Sequence, residues 1–280
     1  MLPLVAGLAA CAHVPEPSDG GIESVLPDAR VMWVGAHPDD EALASPVLAR
    51  ACIGLDRPCL MFVMNRGDGG ECLVKPGCFP SLGAMRAREL ARVASAYGAE
   101  LVHNQYWNAP LPFESFPPRA AIAARWIAAG DPTLKVAEAI RRFRPTVLLT
   151  FEPNHGFTGH PEHQLAARFA LKGAVMAQDP SAPIQGQPHA IGRVYEVLNH
   201  FWITRLAGSS DPSEPNETFD THVPCLRPGK TCLDVALDIT RNHRTQRRDM
   251  GTVRALRPQI GTLFLRRVEP ETELSQIGPF

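Results

Sequence analysis

The 280-residue sequence predicts an α/β fold of three layers, a mostly parallel sheet with helices on both faces. Three observations carry that expectation. Short, continuously apolar runs recur along the chain and read as strands buried on both sides. Segments with apolar residues at helical spacing alternate with them, and such alternation implies crossover connections and a parallel sheet. The residues with the most chemical potential cluster where apolar runs end, and ligands of such sheets bind beyond the carboxyl ends of the strands.

Val31-Met32-Trp33-Val34-Gly35-Ala36 is the first buried strand, ending at His37-Pro38-Asp39-Asp40-Glu41. Glu41 to Ile53 has helical spacing, and Pro58 to Asn65 is a second strand. Gly67 to Gly83 is rich in Gly, Pro and Cys and reads as loop. Ala84 to Tyr97 is a helix with Gly98 as its stop. Leu101 to Trp107 is a third strand, and Asn108 to Pro118 a Pro-rich loop. A helix over Thr133 to Phe143 precedes a fourth strand, Thr146 to Phe151, and Pro161 to Met176 is helical again. Val194 to Thr204 alternates as an antiparallel strand would; Leu233 to Ile239 reads as a late strand and Thr240 to Leu256 as a late helix. The long connections 177–192 and 207–230 are expected to be lids or lobes near a site.

Composition narrows the function classes. A formal net charge of −1 leaves no broad basic field for nucleic acid. No apolar run reaches the roughly 18 residues of a membrane-spanning helix. Met1 to Ala10 is small and apolar and runs into Cys11, and Leu8-Ala9-Ala10-Cys11 resembles a bacterial lipoprotein signal, although no Lys or Arg precedes the cysteine. Residues 1–28 are therefore expected to be signal and tether, and 29–280 a single domain. Any membrane contact is expected through a lipid on Cys11. The other six cysteines fall into near pairs, Cys52/Cys59, Cys72/Cys78 and Cys225/Cys232. Pairing of near neighbours is the simplest arrangement, and it requires an oxidising compartment. The expected location is the bacterial cell envelope or periplasm.

Two clusters carry chemistry. In His37-Pro38-Asp39-Asp40-Glu41, an imidazole and a carboxylate three positions apart can be aimed at one point by a strand-to-helix turn. In Gly159-His160-Pro161-Glu162-His163, two histidines stand three apart where a helix begins, with proline in its first turn. Either cluster alone fits a capped helix start. Together they offer two His and one Asp, and catalytic zinc commonly takes three protein ligands and keeps an open place for water. Iron(II), cobalt or manganese suit the same donors.

These residues resemble a family. Ala36 to Glu41, followed much later by Gly-His-Pro-x-His, looks like the LmbE-like (PIG-L) family of zinc-dependent N-acetylglucosaminyl deacetylases, as do Arg86-Ala87-Arg88-Glu89-Leu90 and Asn65 to Glu71. The likeness covers about residues 30 to 175. It implies a Rossmann-like, three-layer fold and an amide hydrolase that removes N-acetyl from an amino sugar or its conjugate. It implies His37, Asp40 and His163 as ligands of one zinc ion, Asp39 as general base and His160 as the group that stabilises the tetrahedral intermediate. It implies Arg86 as a substrate contact, with Asp68 in a loop near the pocket. The chain departs from the family pattern at Glu152, where many members have Asp, at Thr158, where some place Tyr, and in the Cys72–Cys78 insertion. Glu41 is either a partner of a metal-bound histidine or a first-turn acid; His103, His189, His222 and His243 read as surface or hydrogen-bonded residues. Two rival readings remain on the same residues. One is a zinc amidase acting on another N-acyl compound, peptide-like or antibiotic; the other is a sugar-binding lipoprotein without turnover.

Overall fold

The computed structural model describes residues 19–225 and 228–280. Cys11 and most of the expected signal and tether lie outside the described residues. Seven strands form one sheet: β1 Val31–Gly35, β2 Cys59–Asn65, β3 Glu100–Tyr106, β4 Val147–Phe151, β5 Arg193–Leu198, β6 Glu217–Asp220 and β7 Thr262–Val268. Their spatial order is β3-β2-β1-β4-β5-β7-β6. β3 through β5 are parallel, and β7 runs antiparallel to both β5 and β6. The sheet is therefore mixed and mostly parallel, as expected. The expectation of an antiparallel strand from Val194 is met only at its β7 edge, because β5 is parallel to β4.

β1 explains the layering. Val31 and Trp33 enter the core on one face, while Met32 and Val34 enter the other. All four are fully buried, so a period-2 backbone feeds two cores from one strand. Val93, Ala94 and Tyr97 of the Leu82–Tyr97 helix cover the first face, with Val235 and Ile239 of Cys232–Ile239. Trp126 of Arg119–Ala129, Ile140 of Pro132–Phe143 and Phe169 of Pro161–Gln178 cover the second. Each large apolar side chain buried this way contributes about 1.5–3 kcal/mol.

Three local expectations are corrected. Residues 232–239 are helical, since Thr231 and Asp234 form a reciprocal capping box at the start of the run. A short apolar run is ambiguous by periodicity alone, and here the cap decides it. The segment read as one helix from Thr240 to Leu256 is a 3-10 turn over Thr240–Asn242, a break, and a helix over Arg247–Ala255. The end of the expected tether is packed: Gly21–Val25 is a helical turn, Ile22 and Leu26 belong to the core, and Ile22 N–H donates to Glu217 Oε2 at 2.9 Å. The disulfides pair near neighbours as expected, Cys52–Cys59, Cys72–Cys78 and Cys225–Cys232.

β1 and β4 are adjacent, with the crossovers leaving them in opposite directions. That switch in strand order opens a crevice at their carboxyl ends. The His37 segment follows β1 and the His160 segment follows β4, so both clusters arrive at the same crevice.

Candidate metal centre and its cavity

Backbone geometry aims the first cluster. Asp40 Oδ2 accepts the N–H groups of Ala36 and His37, each at 2.8 Å, which folds the chain back on itself after β1. Its other oxygen, Oδ1, stands 3.5 Å from His37 Nδ1 and 3.1 Å from His163 Nε2. The two nitrogens are 3.1 Å apart. Ligands about 2.0–2.2 Å from a tetrahedral zinc sit roughly 3.3–3.6 Å from one another; one edge of this triangle, 3.5 Å, lies in that range and the other two, 3.1 Å each, fall slightly short of it.

Protons decide what the triangle can hold. His37 Nε2 lies 2.7 Å from Glu162 Oε2, and a carboxylate only accepts, so in the neutral ring, the form a metal would require, the proton is on Nε2 and Nδ1 is bare. His163 Nδ1 lies 3.0 Å from Gly156 carbonyl oxygen, which leaves its Nε2 bare. Two lone pairs and one carboxylate oxygen thus converge on one point, an arrangement that calls for positive charge. Burial opposes a charged His37, but Asp40 and Glu162 outweigh it and raise the imidazole to about 10. The same two histidines hold the Asp40 carboxyl well below its ordinary range against the effect of burial. The donor set fits a divalent transition metal. His37, His160 and His163 also offer ring nitrogens within 4.8 Å of one another. Asp40 Oδ1 lies within 3.5 Å of a ring nitrogen of both His37 and His163, whereas His160 has a different hydrogen bond to keep.

His160 caps the Pro161–Gln178 helix: its Nδ1 accepts Glu162 N–H at 3.1 Å. The neutral ring then carries its proton on Nε2. Burial first, and then His37 and His163, push its pKa far down, so the ring stays neutral. It lines the cavity, with Phe116 edge-on at 5.0 Å between ring centroids. Phe151 stacks on His163 at 4.6 Å and holds that ring's plane.

Glu162 ties the two clusters together. Its carboxylate accepts His37 Nε2, Asn65 Nδ2 at 3.0 Å, Asn108 Nδ2 at 2.7 Å and Ala109 N–H at 2.7 Å, and it is fully buried. It is the partner that orients His37, a role the sequence reading considered for Glu41. Glu41 does something else: Oε2 accepts Asp39 N–H at 3.1 Å, and Oε1 meets His243 Nε2 at 2.5 Å. Asp39 is held at φ 126°, outside the regions a side-chain-bearing residue prefers. Gln246 Nε2 donates to Pro38 carbonyl oxygen from the same late segment. His243, read from sequence as ordinary, is almost completely buried, with Nδ1 unpartnered among the described residues. Only the His-x-Thr-Gln pattern at 243–246 could have signalled it.

Asp39 lines a cavity of about 600 Å³ together with His37, Asp40, His160 and His163. Burial first, then the Asp40 charge, pushes its carboxyl up to about 6, against the pull of Arg86, His243 and His37. Arg86 is buried in the wall, and its Nε has no partner among the described residues. The loop glycines make room for it: a Cβ on Gly67, itself at φ 66°, or on Gly70 would come within 2.5 Å of a terminal nitrogen of its guanidinium.

Other expected residues fall elsewhere. Asp68 pairs with Arg66 at 3.2 Å and abuts Gly83, away from the cavity lining. Glu152 does not engage the second-cluster histidines; its oxygens accept Asn154 N–H, His155 N–H and Ser213 Oγ, which shapes the turn after β4. Thr158 lines the cavity, its Oγ1 3.1 Å from His163 Nδ1. Residues 177–192 contribute nothing to the lining; within 207–230, Asp211 steadies His155 at 2.9 Å. The wall that sequence reading missed is Thr245 to Val253.

Known structures and sequences resemble this chain. The N,N'-diacetylchitobiose deacetylase of Pyrococcus horikoshii superposes with a TM-score of 0.60 at 16% identity, over 90% of this chain and 88% of that one. The 4-carboxy-2-hydroxymuconate hydratase GalB of Pseudomonas putida KT2440 superposes equally well, 0.60 at 14% identity over 90% and 98%, so the fold also hosts other chemistry. A 1D-myo-inositol 2-acetamido-2-deoxy-alpha-D-glucopyranoside deacetylase of Streptomyces avermitilis is 28% identical over 183 residues, 61% of this chain and 61% of that relative. The matched part is thus less than two thirds of that relative's length. The family model for PIG-L, GlcNAc-PI de-N-acetylase, matches residues 32–174, the stretch that contains both histidine clusters, nearly all of β1 and most of the Pro161–Gln178 helix. With that match spanning half the chain and both clusters, this protein belongs to the PIG-L (LmbE-like) family.

Proposed function

We propose that this chain is a zinc-dependent hydrolase that removes an N-acetyl group from an amino sugar or its conjugate. One observation carries the reading: His37 Nδ1, Asp40 Oδ1 and His163 Nε2 converge with edges of 3.1–3.5 Å beside an ionisable, cavity-facing Asp39. The deacetylase activities of the relatives support the same class.

His37, Asp40 and His163 would hold the ion. Zinc so bound supplies an acidified water and a polarised amide carbonyl. Asp39 takes the proton of the attacking water. Its elevated pKa keeps it basic enough for that task and acidic enough to give the proton up. His160, neutral with its proton on Nε2, donates a hydrogen bond to the developing oxyanion. A neutral imidazole at this position is a poor acid, so Asp39 returns the proton to the leaving amine. Arg86, with unspent donors in the wall, binds hydroxyl groups of the sugar.

The disulfides support export to an oxidising compartment as the location. The deciding experiment is acetate release from N-acetylglucosaminyl-inositol and N,N'-diacetylchitobiose. Zinc-loaded protein is expected to turn over at least one of them and chelator-treated protein neither. Equal rates with and without chelator, or no release from zinc-loaded protein, overturn the proposal.

A further inference from the structure

The peptide group between Pro38 and Asp39 is gripped at both ends. Its carbonyl oxygen accepts Gln246 Nε2, 208 residues away, and its N–H donates to Glu41 Oε2 at 3.1 Å. Glu41 is held from the same late segment, since its Oε1 meets His243 Nε2 at 2.5 Å. Thr245 anchors that segment to the Leu82–Tyr97 helix: its N–H donates to Glu89 Oε1 at 3.0 Å and its Oγ1 to Glu89 Oε2 at 2.6 Å. Glu41, Glu89, His243, Thr245 and Gln246 are all buried. None of them can exchange its partner for water without opening the fold.

The turn fixes its neighbouring peptides by itself. Ala42 N–H donates to Asp39 carbonyl oxygen at 2.9 Å, and Asp40 N–H to His37 carbonyl oxygen at 3.4 Å. The Pro38–Asp39 plane is the one that depends on distant help, and it is the one under strain. Asp39 stands at φ 126° and ψ −20°, where a residue with a side chain is rarely found. Turning that plane by about 180° would give Asp39 a φ of about −54°, an ordinary helical value. The relaxed backbone is thus one peptide flip away. The flip would point the Pro38 carbonyl at the Glu41 carboxylate and the Asp39 N–H at the Gln246 amide, so like would face like at both ends. Two buried hydrogen bonds therefore oppose the relaxation that the torsion favours.

We propose that Gln246 and His243 are positioning residues for the general base: Gln246 directly, and His243 through Glu41, clamp the Pro38–Asp39 peptide and so aim the Asp39 carboxylate into the cavity. The inference rests on the deacetylase reading. It adds to it two residues that lie beyond the stretch 32–174 matched by the family model. Neither touches substrate in this role. A misplacement of about 1 Å in a reacting group can cost about 10²-fold in rate, so a clamp on the backbone of the base acts on turnover rather than on binding.

The test is Gln246→Met, which keeps the length of the side chain and removes the donor, made in wild type and in Asp39→Asn. Gln246→Asn, whose amide is withdrawn by one methylene, takes its place if the methionine variant does not fold. Acetate release from N,N'-diacetylchitobiose or N-acetylglucosaminyl-inositol should show kcat lower by about 10–100-fold in the wild-type background, with KM within about threefold. Zinc content should stay near that of wild type. In the Asp39→Asn background the same substitution should change the residual rate by less than about twofold, because the group it positions is already gone. An unchanged kcat, or an equal loss in both backgrounds, overturns the proposal, the second outcome being that of a merely structural residue. A crystal structure of the Gln246 variant separates this failure from failure of the deacetylase reading. If wild type releases no acetate, the clamp still stands when Asp39 leaves φ 126° for a negative value in the variant while His37 and Asp40 keep their places. An Asp39 backbone that the variant leaves unmoved overturns it, whatever the kinetics.

Discussion

Glu162 Oε2 stands 2.7 Å from His37 Nε2, across 125 residues of chain. This contact sets the tautomer of His37 and turns its bare nitrogen toward Asp40 and His163. Groups that orient a metal-facing histidine commonly govern affinity by about 10–100-fold. Glu162→Gln keeps the size but presents an amide N–H to donors. Zinc affinity, measured by competition with a chromogenic chelator, should fall by on the order of 10–100-fold. An unchanged affinity would mean that the pair contributes packing alone.

Asp39→Asn tests the base. The substitution preserves shape and leaves His37, Asp40 and His163 in place. Turnover should drop by about 10²–10⁴, while zinc content by elemental analysis stays near one per chain. Retained turnover would remove Asp39 from the mechanism.

The pH profile follows from the same residue. Asp39 must be a carboxylate to accept a proton, and burial with the Asp40 charge raises its pKa to about 6. Activity should therefore be present above that value and fall as pH drops through it. A bound dication nearby favours the carboxylate, so the acid limb of kcat/KM should lie at or below about pH 6. A limb well above neutrality would contradict this assignment.

His243 is a stability prediction. Its Nε2 meets the buried Glu41 at 2.5 Å, and burial is outweighed by Glu41, Asp39 and Glu89, which together raise its pKa. Removing one partner leaves the other charge buried, which costs about 3–5 kcal/mol. His243→Ala should lower unfolding free energy by that order in a denaturant titration. Because the folded pKa is raised, the pair's stabilising effect is fully present below the unfolded histidine value and is lost as pH rises through the folded one. The difference between wild type and variant should shrink at high pH; a constant gap would indicate lost packing only.

Much of the fold was legible along the chain. Ser81 capping and Gly98 at φ 67° bound the Leu82–Tyr97 helix close to where the pattern placed it. The apolar runs of β1, β2 and β4 were clear because a central parallel strand is buried on both faces. β7, with its mixed burial, and the short β6 at the edge lacked that signal, and their pairing depends on partners distant in sequence. The stretch 232–239 is apolar enough to suit either a strand or a helix, and the Thr231/Asp234 capping box decides for the helix.

Residue types at the strand ends, and their spacing, were legible along the chain because turns and caps are local events governed by nearest neighbours. Cysteine spacing also made pairing of near neighbours the simplest of the 15 arrangements open to six cysteines, and the structure has those pairs. Folding in three dimensions is what pairs Glu162 with His37, pairs Glu41 with His243 and the Asp39 backbone, and brings residues 245–253 to wall the cavity. Those contacts join segments far apart in the chain, and no local propensity encodes which distant donor a buried carboxylate will meet. Packing selects the partner, because a buried polar group left unpaired costs more than the contact gains.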